Sequence, residues 1–514
     1  MRARLARVLA IGFAAVLVLS VGPAEAWAHG NLKEARPAVG SRVAAPPAQL
    51  WLQFTEDPEL AFTTVHLLDP SGKAVALAAL AIAPDSRRAV VAAVRGAMAA
   101  GVYTVEWQMA GDDGHVMRGR YTFTVGAGGP APTSGAPSAG EAGGAVAAPG
   151  QPPTPAGHHP SAAAASDEDG FGAGSPLYVV IRWLQYTALV IVIGAVAFRL
   201  FVVGMLRRAR SGGAPDAPGA GAPVLDDAGR GAARAGLWAT GALAATALLR
   251  LYAQSYAMHG AAGAFDFSFV GTMLSRTVWG WGWLLQLAGM LIAAVGFAVA
   301  RQATATAATG RGTTDTAADR GGWTVAAVGA VALAVVPALS GHAASVPHFR
   351  PLAILADATH VIGASGWLGS LLVLVGAGLP AAMRLTERDR GPAVADFIHA
   401  FSPTALVFAG ITATTGVFAA WLHLGTVPAL WQTTYGKTLL LKLAVLSVVA
   451  GTGAYNWLRV KPALGDVEGA HRIRRSATVE LLVGAVVLII TAVLVATPTA
   501  VDLQAMQSMP GMGQ

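Results

Sequence analysis

The sequence predicts an N-terminal all-β domain, a sandwich or barrel, followed by an all-α polytopic membrane domain with about eight transmembrane helices. Three observations predict it. Short period-two apolar runs fill residues 29 to about 126. Long apolar stretches follow one another from Leu177 onward. Of the 514 residues, 54% are hydrophobic before the 62 glycines are counted, and only 12% are charged. A soluble domain carries about 45–50% apolar residues, glycine included, and about 25% charged ones. A single soluble globule is thereby excluded. So is a disordered chain, which needs low hydrophobicity and high net charge.

The elements follow in order. Arg2, Arg4 and Arg7 precede the apolar run Val8–Val21, and Ala26-Trp27-Ala28 supplies small residues where a signal peptidase reads. Residues 1–28 are expected to be a secretory signal, outside the fold. Cleavage after Ala28 makes His29 the mature N-terminus. In 29–126, Leu50, Leu52 and Phe54 alternate with their neighbours, as do Val65 and Leu67. Tyr103, Val105, Trp107 and Met109 form a third run, and Tyr121, Phe123 and Val125 a fourth. Turn signals separate them: Asp69-Pro70-Ser71-Gly72, Gly101, and Gly111-Asp112-Asp113-Gly114. Short strands with frequent turns predict a sandwich or barrel. Residues 127–175 are Gly/Ala/Pro/Ser-rich and read as a flexible linker.

Residues 176–498 form the expected membrane domain. Its apolar stretches lie at roughly 177–203, 235–258, 277–300, 323–340, 352–379, 400–422, 438–457 and 477–496. Each approaches the ~20 residues that span ~30 Å of hydrocarbon. Pro337 is expected to kink the fourth. Basic residues crowd alternate loops: Arg207, Arg208, Arg210, Arg230 and Arg234; Arg301, Arg311 and Arg320; Arg384, Arg388 and Arg390; Arg459, Lys461, Arg472, Arg474 and Arg475. The opposite loops hold Arg350, with Arg276 and Lys437 at helix starts. The basic side is the expected cytoplasmic side. The β domain, linker and tail 499–514 then lie outside, where the signal peptide also sends the β domain. The formal charge of +7 is explained by this topology, so nucleic acid is not expected as a partner and the lipid bilayer is.

The chain has no cysteine. Disulfides, thiolate metal sites, CxxC redox motifs and covalent c-type haem attachment are excluded. No Walker motif, Asp-Lys-Thr-Gly-Thr or CPC triad occurs, which disfavours ATP-driven pumping. Histidines are distributed unevenly. Of the twelve, only His399 and His471 fall on the expected cytoplasmic side. His259, His342, His348, His360 and His423 gather at the expected outer mouth of the bundle. His360 lies about a third of the way into the fifth stretch, where ionisable groups are costly and usually functional. Asp357 precedes it by one helical turn on the same face. Two readings stand: a ligand or proton relay in which the carboxylate orients the imidazole, or an Asp–His pair that ties helices together.

In the β domain, Asp113-Gly114-His115 occupies a turn. A mature His29 offers an α-amine and an imidazole from one residue. With His115 and Asp113 this makes three nitrogens and one oxygen, a set that suits tetragonal Cu(II). Without His29, a solvated turn histidine is the plainer reading. Glu56 and Asp57, near a strand end, stand beside it as a possible outer ring of acids or as plain surface acids. Only Met98, Met109 and Met117 offer thioethers in this domain, against a dedicated Cu(I) site there.

Residues 29–126 resemble the CopC copper-binding domain. The matching stretches are His29-Gly30, Ala35-Arg36-Pro37-Ala38-Val39-Gly40, Leu52-Gln53-Phe54-Thr55-Glu56, Leu68-Asp69-Pro70-Ser71-Gly72, Gly101-Val102-Tyr103-Thr104-Val105-Glu106-Trp107 and Asp113-Gly114-His115. The membrane part resembles the CopD family through Asp357-Ala358-Thr359-His360, Gly366-Trp367-Leu368-Gly369, Phe401-Ser402-Pro403, Thr434-Tyr435-Gly436-Lys437 with Leu441-Lys442, and Arg475 with Glu480. The order of these motifs over two domains resembles a CopC–CopD fusion. The resemblance implies a Greek-key sandwich, a Cu(II) site from His29, Asp113 and His115 with Glu56 nearby, and copper movement across the inner or plasma membrane, inward. Copper is the expected metal, with no enzymatic role. For the membrane relay the resemblance favours His360 and Asp357, then His342 and His423. Lys437, Lys442 and Glu480 are read as packing or gating charges. His158-His159 and the tail's Met506, Met509 and Met512 fall outside the family pattern. A haem-binding metalloreductase and a non-transporting copper buffer or sensor are the competing expectations.

Overall fold

The computed structural model describes residues 32–54, 57–110, 116–126, 176–211, 220–308, 316–339, 341, 343, 350–455, 467–497 and 499–501. They form two compact units, a β domain and a helical domain.

The β domain has nine strands: β1 (Leu32–Arg36), β2 (Arg42–Val43), β3 (Gln49–Phe54), β4 (Thr64–Leu68), β5 (Ala74–Val75), β6 (Ala81–Ala83), β7 (Ser86–Ala93), β8 (Gly101–Ala110) and β9 (Val116–Val125). One sheet is ordered β1-β3-β7-β6 and the other β2-β9-β8-β4-β5. The chain passes repeatedly between the two, as in a Greek-key sandwich. All four expected apolar runs are inward faces: Leu50, Leu52, Phe54, Val65, Leu67, Tyr103, Val105, Trp107, Met109, Tyr121, Phe123 and Val125 are buried. Phe54 of the first sheet meets Trp107 of the second edge to face, centroids 5.2 Å apart. Trp51 departs from the alternation. It points to the other face of β3 and is buried there, under the Arg36 guanidinium (4.4 Å) and hydrogen-bonded to Asp85 Oδ1 (3.3 Å). β7 has no clean alternation, because Ala89, Val90 and Ala92 are all buried.

The Asp69–Gly72 turn forms as its residues dictate. Asp69 Oδ1 accepts from Ser71 N (2.8 Å), Ser71 Oγ (2.6 Å) and Lys73 N (2.9 Å). These bonds, that from the Ser71 hydroxyl foremost, hold its carboxyl below the ordinary value. Gly72 supplies the positive φ of 83°.

Among the described residues, 8 helices are long and apolar enough to cross a membrane: α1 (Pro176–Arg210), α2 (Ala222–Met258), α3 (Val278–Ala303), α4 (Ala317–Leu339), α5 (Arg350–Met383), α6 (Glu387–Leu424), α7 (Thr434–Gly453) and α8 (Ala477–Leu494). Each contains or closely overlaps one expected stretch. α2 and α6 start more than ten residues early, because their first turns are ion-paired helix rather than loop. π-helical segments interrupt α1 at Phe198–Val203 and α5 at Ser365–Gly369 and Leu374–Gly378.

Small residues set the helix spacing. On α3, Gly289 and Gly296 face Gly329 and Gly322 of α4 so closely that an added Cβ on Gly296 would strike the Ala326 backbone. Gly194 of α1 and Gly369 of α5 meet in the same way. Without a hydrophobic drive between helices in lipid, such backbone approach supplies dispersion contact.

The helix ends nearest Arg199 are tied by charge. Asp319 of α4 pairs with Arg199 of α1 and accepts from Trp323 Nε1 (3.1 Å). Arg207 pairs with Asp226 of α2 (2.5 Å), Arg384 of α5 with Asp227 (2.5 Å), and Arg210 with Asp396 of α6 (3.5 Å). Several of the basic residues that set the expected orientation are therefore also structural partners.

Gly296→Leu is expected to force α3 and α4 apart and to destabilise the domain by roughly 1–3 kcal/mol. Gly241→Leu, whose Cβ meets nothing within 4 Å, is expected to change little. Thermal melting of the detergent-solubilised protein separates the two.

Candidate metal centre

Two groups of residues were expected to handle metal, one in each unit. In the β domain, His29, Glu56, Asp113 and His115 all lie outside the described residues. The strands that lead into them are described. The start of β1 pairs with the end of β3, Leu32 opposite Phe54. His29 precedes Leu32 by three residues, and Glu56 follows Phe54 by two. The β8–β9 ladder runs unbroken to Ala110 opposite Val116, and residues 111–115 connect those strands. Phe54 packs on Trp107, one residue-triplet before Ala110. The chain thus enters and leaves all three ligand-bearing segments at one end of the sandwich.

In the helical unit, His342 and His348 are outside the described residues, as is the side chain of His259. His360 and Asp357 sit on α5, one turn apart. The imidazole lies against α6: Nδ1 is 3.0 Å from Thr415 Oγ1, and an added Cβ on Gly416 would come within 3.2 Å of Cε1. Thr415 Oγ1 already donates to the Ile411 carbonyl (2.7 Å). Its hydroxyl proton is used, so it accepts from Nδ1–H, and the neutral ring carries its free lone pair on Nε2. The Thr412 backbone carbonyl also accepts a hydrogen bond from the ring. A histidine ligand needs one nitrogen held as a donor, so that the lone pair of the other is aimed at the metal. The expectation was that Asp357 would orient the ring; the orienting group is Thr415.

Asp357 has another partner. Lys442 of α7 and Asp357 attract one another, and Lys442 lies within electrostatic reach of His360. The expected gating charge is thus the counter-charge of the expected relay acid. Lys437 is exposed at the start of α7, and Glu480 is buried in α8. His423 ends α6, just before Gly425 turns the chain with φ +66°. It is half-buried, and its ring packs on Tyr435 (centroids 6.4 Å). It lies two turns beyond Gly416 on the same stripe of α6, about 10 Å along the axis. Among the described residues no three His, Asp or Glu side chains converge as a ready-made metal cage.

Sequence reasoning missed Thr415, Arg182, Gln185, Tyr186, Arg250 and Gln286. The two arginines carried a signal, since each interrupts an apolar span. Thr415 carried none.

Comparison with known proteins gives the family. The CopC domain matches residues 32–126, the copper resistance protein D-like N-terminal domain 173–348, and copper resistance protein D 395–494. Copper transport protein CutJ of Bacillus subtilis is 24% identical over 494 residues, covering 94% of this chain and 77% of CutJ. Copper resistance protein C of Escherichia coli is 33% identical over 106 residues, 20% of this chain and 83% of that protein. The crystal structure of CopC from Methylosinus trichosporium OB3b shares 32% identity, covers 19% of this chain and 94% of its own, and has a TM-score of 0.18. The chain belongs to the copper-resistance and copper-transport family that joins a CopC domain and a CopD domain in one polypeptide.

Thr415→Val removes the acceptor for His360 Nδ1–H and is expected to cost about 1–3 kcal/mol. Thr415→Ser is expected to retain most of the stability. Thermal or denaturant unfolding in detergent reads the difference.

Proposed function

We propose that the protein captures Cu(II) outside the cell membrane with its CopC domain and passes the ion to the helical domain for inward transport. The capturing groups are the α-amine and imidazole of His29, the His115 imidazole and Asp113, with Glu56 alongside. The observation that carries this reading is the convergence of the start of β1, the end of β3 and the β8–β9 connection at one end of the sandwich. An amine–imidazole chelate plus a turn imidazole is a nitrogen-rich set, which favours Cu(II) in the affinity order. The strand frame holds the entry points of these segments close together.

The linker 127–175 tethers the loaded domain and keeps its effective concentration high at the membrane. His423 of α6 and then His360 of α5 are the proposed acceptors, the His360 ring lying against Gly416, two turns before His423 along α6. The His360 imidazole takes the ion, and Asp357 and Lys442, oppositely charged and within electrostatic reach of one another, balance charge beside it. His342 is a further proposed acceptor. The β domain and the C-terminus face outward in this reading.

Two experiments test it. Cu(II) titration and EPR on residues 29–126 are expected to show tight tetragonal binding with an authentic His29 start. One added N-terminal Gly is expected to weaken it severely; indifference to that extension refutes the amine ligand. For the membrane step, His360→Ala and Asp357→Asn are expected to lower cellular copper accumulation several-fold at equal membrane abundance. Unchanged accumulation removes the relay, and a protein that binds copper without any flux is a buffer.

A further inference from the structure

Helices α1, α2 and α3 carry a second polar cluster that neither the copper ligands nor the family comparisons account for. Arg182 and Gln185 lie near the start of α1, Arg250 near the end of α2, and Gln286 near the start of α3. The alternating direction of the spans puts all four at one level of the bundle. They are linked. Arg250 Nη1 donates to Gln185 Oε1 (3.2 Å), and Gln185 Nε2 donates to Gln286 Oε1 (3.4 Å). Those two bonds fix both amides and leave the Gln286 NH2 facing away as a donor. Arg182, Gln185 and Gln286 are 6%, 5% and 2% exposed. Aromatic rings hold the guanidinium groups: Arg182 over Tyr178 (4.5 Å) and Arg250 over Trp279 (5.9 Å).

The cluster is short of acceptors. Arg182 Nη1, Arg250 Nε and Gln286 Nε2 are buried with no hydrogen-bond partner among the described residues, and all three only donate. Tyr186, one residue from Gln185, feels Arg182, Arg250 and Asp357 together, so the cluster adjoins the Asp357–Lys442 pair. Among the described residues that act on Tyr186, two guanidinium groups stand against one carboxylate, Asp357, which Lys442 also attracts. An uncompensated positive excess is costly in a low-dielectric interior. Water does not cure it, because each water brings two further protons to a site already rich in them. A species that only accepts does.

We propose that Arg182, Arg250 and Gln286 form a binding site for an anion within the membrane domain. The ligand is a compact acceptor-only group, supplied either by free chloride or by the phosphate of a lipid headgroup. A copper ion is excluded, since every unfilled group presents hydrogen. With the anion seated, the neighbouring relay groups face a nearly neutral wall instead of two bare guanidinium charges, which lowers the repulsion met by a passing cation.

The test uses the full-length protein in detergent and radiolabelled chloride. Saturable binding is expected, displaced by bromide and not by gluconate. Arg182→Gln and Arg250→Gln are each expected to weaken it about tenfold or more, the scale of one lost charge-assisted hydrogen bond. Arg250→Lys keeps the charge and is expected to keep part of the affinity, and Arg276→Gln, outside the cluster, to keep all of it. If the occupant is lipid phosphate, chloride binding appears only after delipidation, and native mass spectrometry finds an anionic phospholipid that the Arg→Gln variants lose. Wild-type protein that binds neither chloride nor an anionic lipid overturns the proposal. So does binding that both Arg→Gln variants retain in full.

Discussion

Hydrocarbon offers no hydrogen bonds, so every polar group placed inside a membrane bundle must be answered from within the bundle. The two ends of the helical domain meet this constraint differently. At the end near Arg199, each guanidinium group named above has a carboxylate beside it, with Asp319 serving both Arg199 and Trp323, although Arg199 Nε keeps no hydrogen-bond partner among the described residues. At the other end the groups are matched only in part. Asp357 feels Lys442 at electrostatic range, and His360 is held by Thr415 at Nδ1 and by the Thr412 backbone. Arg182, Arg250 and Gln286 keep unfilled donors. One end carries carboxylates enough to neutralise its guanidinium groups and ties the helices together. The other holds more buried donors than acceptors among the described residues.

The β domain divides the same labour another way. Its strands are a packed scaffold with aromatic contacts across the sheets. The residues expected to hold copper are all in the leading segment, at a strand exit or in a hairpin connection. Functional groups on loops held by a rigid frame are the general pattern. No cysteine is present, so the donors the chain offers a metal are nitrogen, oxygen and thioether groups rather than thiolates.

Much of this was legible in the sequence because the deciding physics is local. Period-two burial made the inward faces of β3, β4, β8 and β9 visible. Length and hydropathy made all eight spans visible. What stayed hidden depended on tertiary partners. Trp51 reads as an outward residue until Arg36 and Asp85 cover it. The first turns of α2 and α6 read as loop because their Asp and Arg residues find partners on other helices. His360 and Asp357 stood out as ionisable groups in an apolar run. Applied evenly, the same rule also marks Arg182 and Arg250. Thr415 had no such signal. A helical threonine ordinarily bonds the carbonyl one turn back, as this one does with Ile411. Only the packing of α6 on α5 gives its lone pair to an imidazole.

The glycine seam between α3 and α4 has a mechanical consequence. Two helices whose backbones touch at the Gly289, Gly296, Gly322 and Gly329 positions have little side-chain volume to repack along that seam, so they translate and tilt as one stiff plank. α5 is built in the opposite sense. Its two π-helical segments lie just past His360 and loosen the hydrogen-bond ladder there. Of these neighbours, the helix that bears the imidazole is therefore the one built to bend, and the α3–α4 plank beside it is the one built to hold still.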